Sequence, residues 1–549
     1  MNTVYGGTAR TLGAVAAVLA ALATIVVASL SNLNGDVRYV LGGLETAGKG
    51  GVGIWDVFVS RPLAYKLVMA ALDKPVAGPS SDSTHLVIRL ETYAVVILVT
   101  AVLFLGVRRV AGRAAAAGIA GATGLALLIA PPWHFLEPDW VAVLLAVLAV
   151  GAACVPKWPW LGALLAGPAA MLVVAVKAST FPIALVALIV IGVFDRRRAA
   201  WATLSTVVWV AVWYVVSRHF LPWEWTWLED LAYLVHAEPQ RIYWDELVKL
   251  QVAIGDAAVL SPVLALFPAA AAALIQRETG RRRWAGAVVA VVAFLLTLAP
   301  AYGQGEFFMY HFAATVVLAA GVSGAAFALC PGFRLPLAVI AVVVSGISLF
   351  LVRQPDSWRL ENATPVIWAY EIGALVLAVV AWFLAGRARL SLPWSAGVVV
   401  LCFALLPPVL QGSPYAFSTY NHSALNGRSP DAALVELGRR LGPDTPVLYL
   451  TYGTVNHAMG NPTTCRYPSP IWLQRGAGDD RMRARPSYAD NLRCLTEDSN
   501  ARYLVVQTNW YSRPKAAPDV QALLNERFDC SAAAQIPAPP PVIVCPARR

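Results

Sequence analysis

The sequence predicts an α-helical polytopic membrane protein of about thirteen transmembrane helices, followed by a small extracytoplasmic α/β domain. Three observations carry this reading. Of the 549 residues, 58% are hydrophobic and only 13% charged, with a mean hydropathy of +0.62. A soluble chain of this length lacks the interior to hide that much apolar surface. The connectors between apolar runs also alternate in charge. Basic ones hold Arg108, Arg109 and Arg113, then Arg196 to Arg198, Arg277 to Arg283, and Arg387 with Arg389; acidic ones run over Asp36–Asp56, Glu137–Asp139, Glu224–Asp256, Glu306 and Asp356–Glu361. Short basic loops stay cytoplasmic, so the acidic loops are expected on the outer face. Finally, four of the seven cysteines lie in the polar C-terminal stretch, an even set that suits disulfides in an oxidising compartment.

Taken in order, apolar runs long enough to span predict helices near 11–30, 86–107, 114–130, 139–154, 160–176, 180–194, 199–217, 258–275, 285–301, 312–329, 335–352, 366–384 and 394–410. The first is read as a retained anchor, because no clear cleavage site follows it. An odd number of spans from a cytoplasmic N-terminus puts the C-terminal segment outside. The expected domains are a membrane domain, 1–410, and a soluble domain, 411–549. Two outer loops are long: 31–85, rich in Gly and Pro, and 218–257, where Trp223, Trp225 and Trp227 predict amphipathic helices on the outer surface.

In the C-terminal domain the pattern gives helices at Asp431–Leu441, Tyr488–Leu495 and Val520–Phe528 and strands at Val447–Thr451, Tyr503–Gln507 and Val542–Cys545. Chain order suggests Cys465 with Cys494 and Cys530 with Cys545, although four cysteines allow three pairings. The net charge of +10 follows from the cytoplasmic loops meeting anionic lipid, so membrane lipid is the expected partner and nucleic acid is not.

The candidate site residues lie at the outer ends of the spans. Asp36 follows the first span in Asn-Gly-Asp, which is also ordinary turn chemistry. Glu137 and Asp139 share a very short loop; Asp139 suits a helix start, and Glu137 has no such excuse. The loop 302–311 packs Gln304, Glu306 and His311 among aromatic rings. An interfacial aromatic belt accounts for the rings but not for those three. Lys177, Arg61, Lys66, Arg218 and Arg359 are outer cations near helix ends, able to snorkel or to neutralise a phosphate. Glu371 lies within a span, where an acid is functional by default. Two glycine-rich near-motifs, Gly43–Gly50 and Gly48–Gly53, fail as nucleotide sites. The first lacks the closing Ser or Thr, and no strand precedes the second. No zinc or serine hydrolase motif is present.

This arrangement resembles the GT-C glycosyltransferases, such as the protein O-mannosyltransferases and the lipid A aminoarabinose transferases. Asp36 matches their acidic residue in the first outer loop, Glu137 and Asp139 match the second acidic position, and Gln304 to His311 is similar to the Gln-Gly, Tyr-His loops of bacterial members. Val37 stands where the O-mannosyltransferases carry the second acid of an Asp-Glu pair. The C-terminal domain is similar to the extracytoplasmic domains of actinobacterial cell-wall transferases. The resemblance implies transfer of a sugar, with inversion, from a polyprenyl-phosphate donor to a hydroxyl of a glycan, lipid or protein on the outer face of the plasma membrane. It implies Asp36 as base and Glu137, Asp139 or Glu306 as groups orienting the acceptor. The phosphate would meet cations such as Lys177, Lys66 or Arg61. Oxygen ligands of this kind suit Mg²⁺ or Mn²⁺, although no residue pattern demands a metal. A transporter or flippase is the competing reading, but polarity in the spans is concentrated at their outer ends rather than at the midplane. A noncatalytic cell-envelope assembly protein is a third.

Overall fold

The computed structural model describes residues 15, 17–29, 33–73, 82–236, 243–305, 307–384, 392–394, 396–407, 431–496 and 500–548. The chain divides into two compact units, one of Met1–Ser31, Thr92–Ala211 and Arg241–Gly427, the other of Asn32–Glu91, Val212–Gln240 and Arg428–Arg549. The second unit therefore draws much of both long loops in with the C-terminal residues.

The first unit is helical. Among the described residues of the whole chain, seven helices are long and apolar enough to cross a membrane, or eight if one bent pair counts as a single span. Each predicted span falls on a helix, but not each on a separate long one. The spans 86–107 and 114–130 lie on Asp82–Leu128, which breaks only at Gly112, whose φ of 87° suits a residue without Cβ. Four further apolar helices are shorter: Ala17–Ser29, Pro138–Cys154, Ala178–Phe194 and Ala396–Leu405. The span 258–275 is the bent pair, in which Trp244–Leu260 meets Val263–Gln276 at 94°. Ser261 and Pro262 stand at that break, and Pro262 cannot supply the amide a continuous helix needs.

The second unit is α/β. Strands β1 (Val447–Leu450), β2 (Tyr503–Gln507) and β3 (Val542–Pro546) form one sheet in that order, β1–β2 parallel and β2–β3 antiparallel. The parallel pair requires a crossover, which the helices Gly453–Met459, Ile471–Gly476 and Pro486–Thr496 supply. Side chains alternate across the sheet. Leu448, Leu450, Leu504 and Val506 enter one core with Trp472, Phe58 and Trp227. Val447, Tyr449, Val505 and Val544 enter another with Leu434 and Leu437. Every helix and strand predicted for this region is found there, with ends shifted by no more than a few residues. The disulfides are Cys465–Cys494 and Cys530–Cys545, the pairing that chain order suggested.

The loop 31–85 is less of a loop than its glycines suggest: it holds the helices Gly35–Lys49 and Leu63–Asp73. The first lies against Gly453–Met459 so closely that a Cβ on Gly42 would come within 2.4 Å of the His457 amide nitrogen. The loop 218–257 carries helices, as expected: Pro222–His236 and Tyr243–Leu260.

Candidate active site

Asp36 sits in the first turn of Gly35–Lys49, whose N-cap is Asn34. A carboxylate there is favoured by the helix dipole. Its Oδ2 accepts from Arg61 at 3.1 Å, and its Oδ1 accepts from the Tyr452 hydroxyl. Tyr452 immediately follows β1 and Thr451 and caps the helix Gly453–Met459. The Tyr39 ring lies 5.0 Å from the Tyr452 ring, and the Tyr39 hydroxyl meets Ser60 Oγ at 3.0 Å. Burial pushes the Tyr39 phenol up to about 12 and the Tyr452 phenol well above its ordinary value, so both stay protonated as donors. Asp36 nevertheless keeps 31% of its side chain exposed, and Arg61 20%. Ser60, just before Arg61, holds a left-handed φ of 52°, a costly conformation for a non-glycine residue and one that clusters at functional positions.

Lys66 is the inverse case. Its side chain is fully buried, 3.6 Å from Glu224 Oε2, and donates to the Val57 carbonyl at 3.0 Å beneath the Trp227 ring. Burial lowers its pKa, while Glu224 works against that. Arg218 pairs with Glu229 at 3.0 Å on the surface and lies over Trp225. Glu45 and His457 form a second buried group that the sequence reading missed. Burial raises Glu45 to about 7 despite Lys49 at 2.9 Å. Burial, with His85 and Arg38 nearby, lowers His457 to about 3. The Nε2 atoms of His85 and His457 stand 3.1 Å apart with near-parallel rings, so one ring donates and the other accepts.

In the first unit, Asp139 is completely buried in the first turn of Pro138–Cys154. Its two oxygens take different partners: Lys177 Nζ at 2.8 Å on Oδ2 and His311 Nδ1 at 3.2 Å on Oδ1. Because a carboxylate only accepts, His311 carries its proton on Nδ1. Gln304 Nε2 is 3.4 Å from the same nitrogen, and Lys177 also lies over the Tyr310 ring at 5.2 Å. The structure thus joins Asp139, Lys177, Gln304 and His311, which come from three separate stretches of sequence. Glu137 is buried as the residue capping the same helix, after Leu136 with a left-handed φ of 64°. His134 Nε2 meets the Met309 carbonyl at 2.9 Å; burial lowers its pKa to about 4, so the ring is neutral and donates. Arg359 is buried in the short helix Asp356–Glu361, and Glu306 lies outside the described residues.

Glu371 accepts from Gln251 Nε2 at 2.6 Å at the wall of a large cavity. That cavity, of about 890 Å³, is lined by Gln251, Ile254, Phe267, Phe294, Leu295, Glu371 and other mainly apolar side chains, and reaches Arg283 and Trp382. Positions Arg283 to Leu295 and Tyr370 to Trp382 each advance twelve residues along a helix, roughly 18 Å at 1.5 Å per residue. Among the described residues no cluster of three or more His, Cys, Asp or Glu side chains is placed to hold a metal ion.

No protein-family model matches the chain, and no curated protein matches it. Solved structures do. ArnT from Cupriavidus metallidurans bound to undecaprenyl phosphate superposes with a TM-score of 0.53 at 17% identity, covering 97% of each chain. Its apo state gives 0.52 at 16%, covering 98% of each. The chain has the GT-C fold. An Archaeoglobus fulgidus oligosaccharyltransferase gives a TM-score of 0.40 at 12% identity, over 96% of this chain and 75% of that one. Sequence reasoning named Asp36 and Asp139 as candidates but not their neighbours Tyr452, Tyr310 and His134. Tyr452 had a signal available, since it stands in the short turn between a strand and a helix, where side chains from both elements converge.

Proposed function

We propose that the protein is an integral-membrane glycosyltransferase that moves a sugar from a polyprenyl-phosphate donor to a hydroxyl acceptor on the outer face of the plasma membrane, with inversion. The observation that carries the proposal is the Asp36 carboxylate, fixed at both oxygens by Arg61 and Tyr452 yet open to a ligand. A hydroxyl is a poor nucleophile until its proton is accepted, and a fixed carboxylate within reach performs that step. Arg61 is suited to exchange the carboxylate for a donor phosphate, its fork matching either anion, and the exchange would leave Asp36 free to accept the proton. Displacement by the activated hydroxyl then breaks the bond between the anomeric carbon and the phosphate oxygen, the proton passes to Asp36, and the polyprenyl phosphate leaves.

The apolar cavity beside Glu371 suits the prenyl chain of such a donor, whose hydrocarbon gains by leaving water at about 25 cal/mol per Å². Undecaprenyl phosphate, bound by an ArnT of the same fold, is the lipid class this reading adopts. Asp139, Lys177 and His311, which the first unit joins by itself, are read as groups that orient an acceptor or a phosphate, and the N-terminus is read as cytoplasmic. Carboxylate oxygens would suit a divalent ion such as Mg²⁺ or Mn²⁺, but the described residues gather no three such ligands, so no step of the proposal runs through one.

The test compares purified protein and Asp36→Asn in binding and turnover of polyprenyl-phosphate sugars extracted from membranes. The substitution keeps the shape and removes the base. Donor binding is expected to persist while turnover falls about 10²–10⁴-fold. Unchanged turnover would remove Asp36 from the chemistry, and the proposal with it.

A further inference from the structure

The second unit contains a cavity that the transfer chemistry does not use. It has a volume of about 440 Å³, within the roughly 300–1,000 Å³ usual for ligand pockets. It opens beyond the C-terminal end of β2, between the segment 508–514, the helix Pro518–Arg527 and β3. Its apolar side is Val506, Leu524, Ile543 and Tyr511; its polar side includes Arg513, Gln521 and Asn525. From this lining we infer a binding site for a neutral sugar unit of a glycan.

The polar side chains are already oriented. Arg513 donates to Asn525 Oδ1 at 2.9 Å, leaving the Asn525 amide hydrogens as the donors it presents. Gln521 Nε2 donates to the carbonyls of Ala516 at 2.7 Å and Pro514 at 3.2 Å, so its amide oxygen is the acceptor it has to offer. Tyr511 is 2% exposed, and its hydroxyl has no hydrogen-bond partner among the described residues. That hydroxyl is enclosed and out of reach of a ligand, so Tyr511 can offer the site only its ring. A pyranose ring matches this set: one face is C–H, the rim is hydroxyl, and each hydroxyl both donates and accepts. The single cation is engaged by an amide, so the site lacks the paired charges that an acidic ligand would call for. The walls are stiff. Ile543 lies two residues from Cys545, which is tied to Cys530, and β3 pairs along its length with β2.

The site is independent of the transferase reading, and its test involves no donor. Full-length protein in detergent is applied to an array of neutral and acidic oligosaccharides. Wild type is expected to retain at least one neutral glycan. Asn525→Ala, at an exposed position, should lower that signal about tenfold, in keeping with loss of one polar contact worth about 1.4 kcal/mol. Retention of no glycan, retention of acidic glycans alone, or undiminished binding by Asn525→Ala would each overturn the inference.

Discussion

Lys66 separates two roles for a buried cation, and one substitution tells them apart. If its ammonium belongs to Glu224, Lys66→Met leaves a buried carboxylate without its charge partner. At 3.6 Å and an effective dielectric near 20, the Coulomb attraction is about 4–5 kcal/mol. Removing one member of a buried pair typically costs about 3–5 kcal/mol, and the methionine recovers part of the stem's packing. For a unit of this size that lowers the melting temperature by on the order of 10 °C. Tryptophan fluorescence follows it directly, because Lys66 lies 5.3 Å from the Trp227 ring. The double variant Lys66→Met, Glu224→Gln removes both charges and should recover most of the loss, since the glutamine oxygen still accepts from the Leu63 amide as Glu224 Oε1 does. A Lys66→Met protein that melts normally but binds donor more weakly would refute this argument and return Lys66 to the phosphate.

Three further outcomes follow from the second unit. Reducing Cys465–Cys494, which closes 29 residues of chain, should cost about 3–4 kcal/mol by the loop-entropy estimate; two free thiols in the native protein by mass measurement would remove the effect. Gly42→Val should destabilise by at least about 1–3 kcal/mol, because the new side chain meets backbone at 2.4 Å; a normal denaturation midpoint would mean the two helices can part. Glu45 is raised from 4.5 to about 7, so the folded state binds the proton more tightly than the unfolded state. Its contribution is fully present below pH 4.5 and is lost as pH rises to about 7. Glu45→Gln should flatten that slope, and an identical pH–stability profile would place the titration elsewhere.

The membrane helices were legible because composition decides them: a run of Ala, Val and Leu has no soluble alternative at this length. The six C-terminal elements were legible through periodicity, as in Val447–Leu450 and Tyr503–Gln507, whose residues alternate between two cores. The helices in 31–85 were not. Gly42 and Gly43 read as breakers, yet here glycine serves the close approach to His457, a tertiary reason invisible locally. For the site, the acids and several of their partners, such as Arg61, Lys177 and His311, were readable as unusual residues, while which of them pair was not. Tyr452 lies 416 positions from Asp36 and His311 lies 172 from Asp139, and no local pattern reports such pairings. Lys66 and Lys177 looked alike as outer cations; burial against Glu224 in one case, and a partly open pairing with Asp139 in the other, distinguishes them.

The right-angle turn at Ser261–Pro262 has a consequence for traffic. With Val263–Gln276 upright in the bilayer, Tyr243–Leu260 would run near the membrane plane, and Gln251, Ile254 and Ala258 on that helix form part of the wall of the large apolar cavity. On the function proposed above, such a helix would act as a sill over which an oily guest enters sideways from the leaflet. Protein stripped of lipid should then keep a detergent tail in that doorway, and the rate at which guests exchange should depend on the thickness and fluidity of the surrounding leaflet.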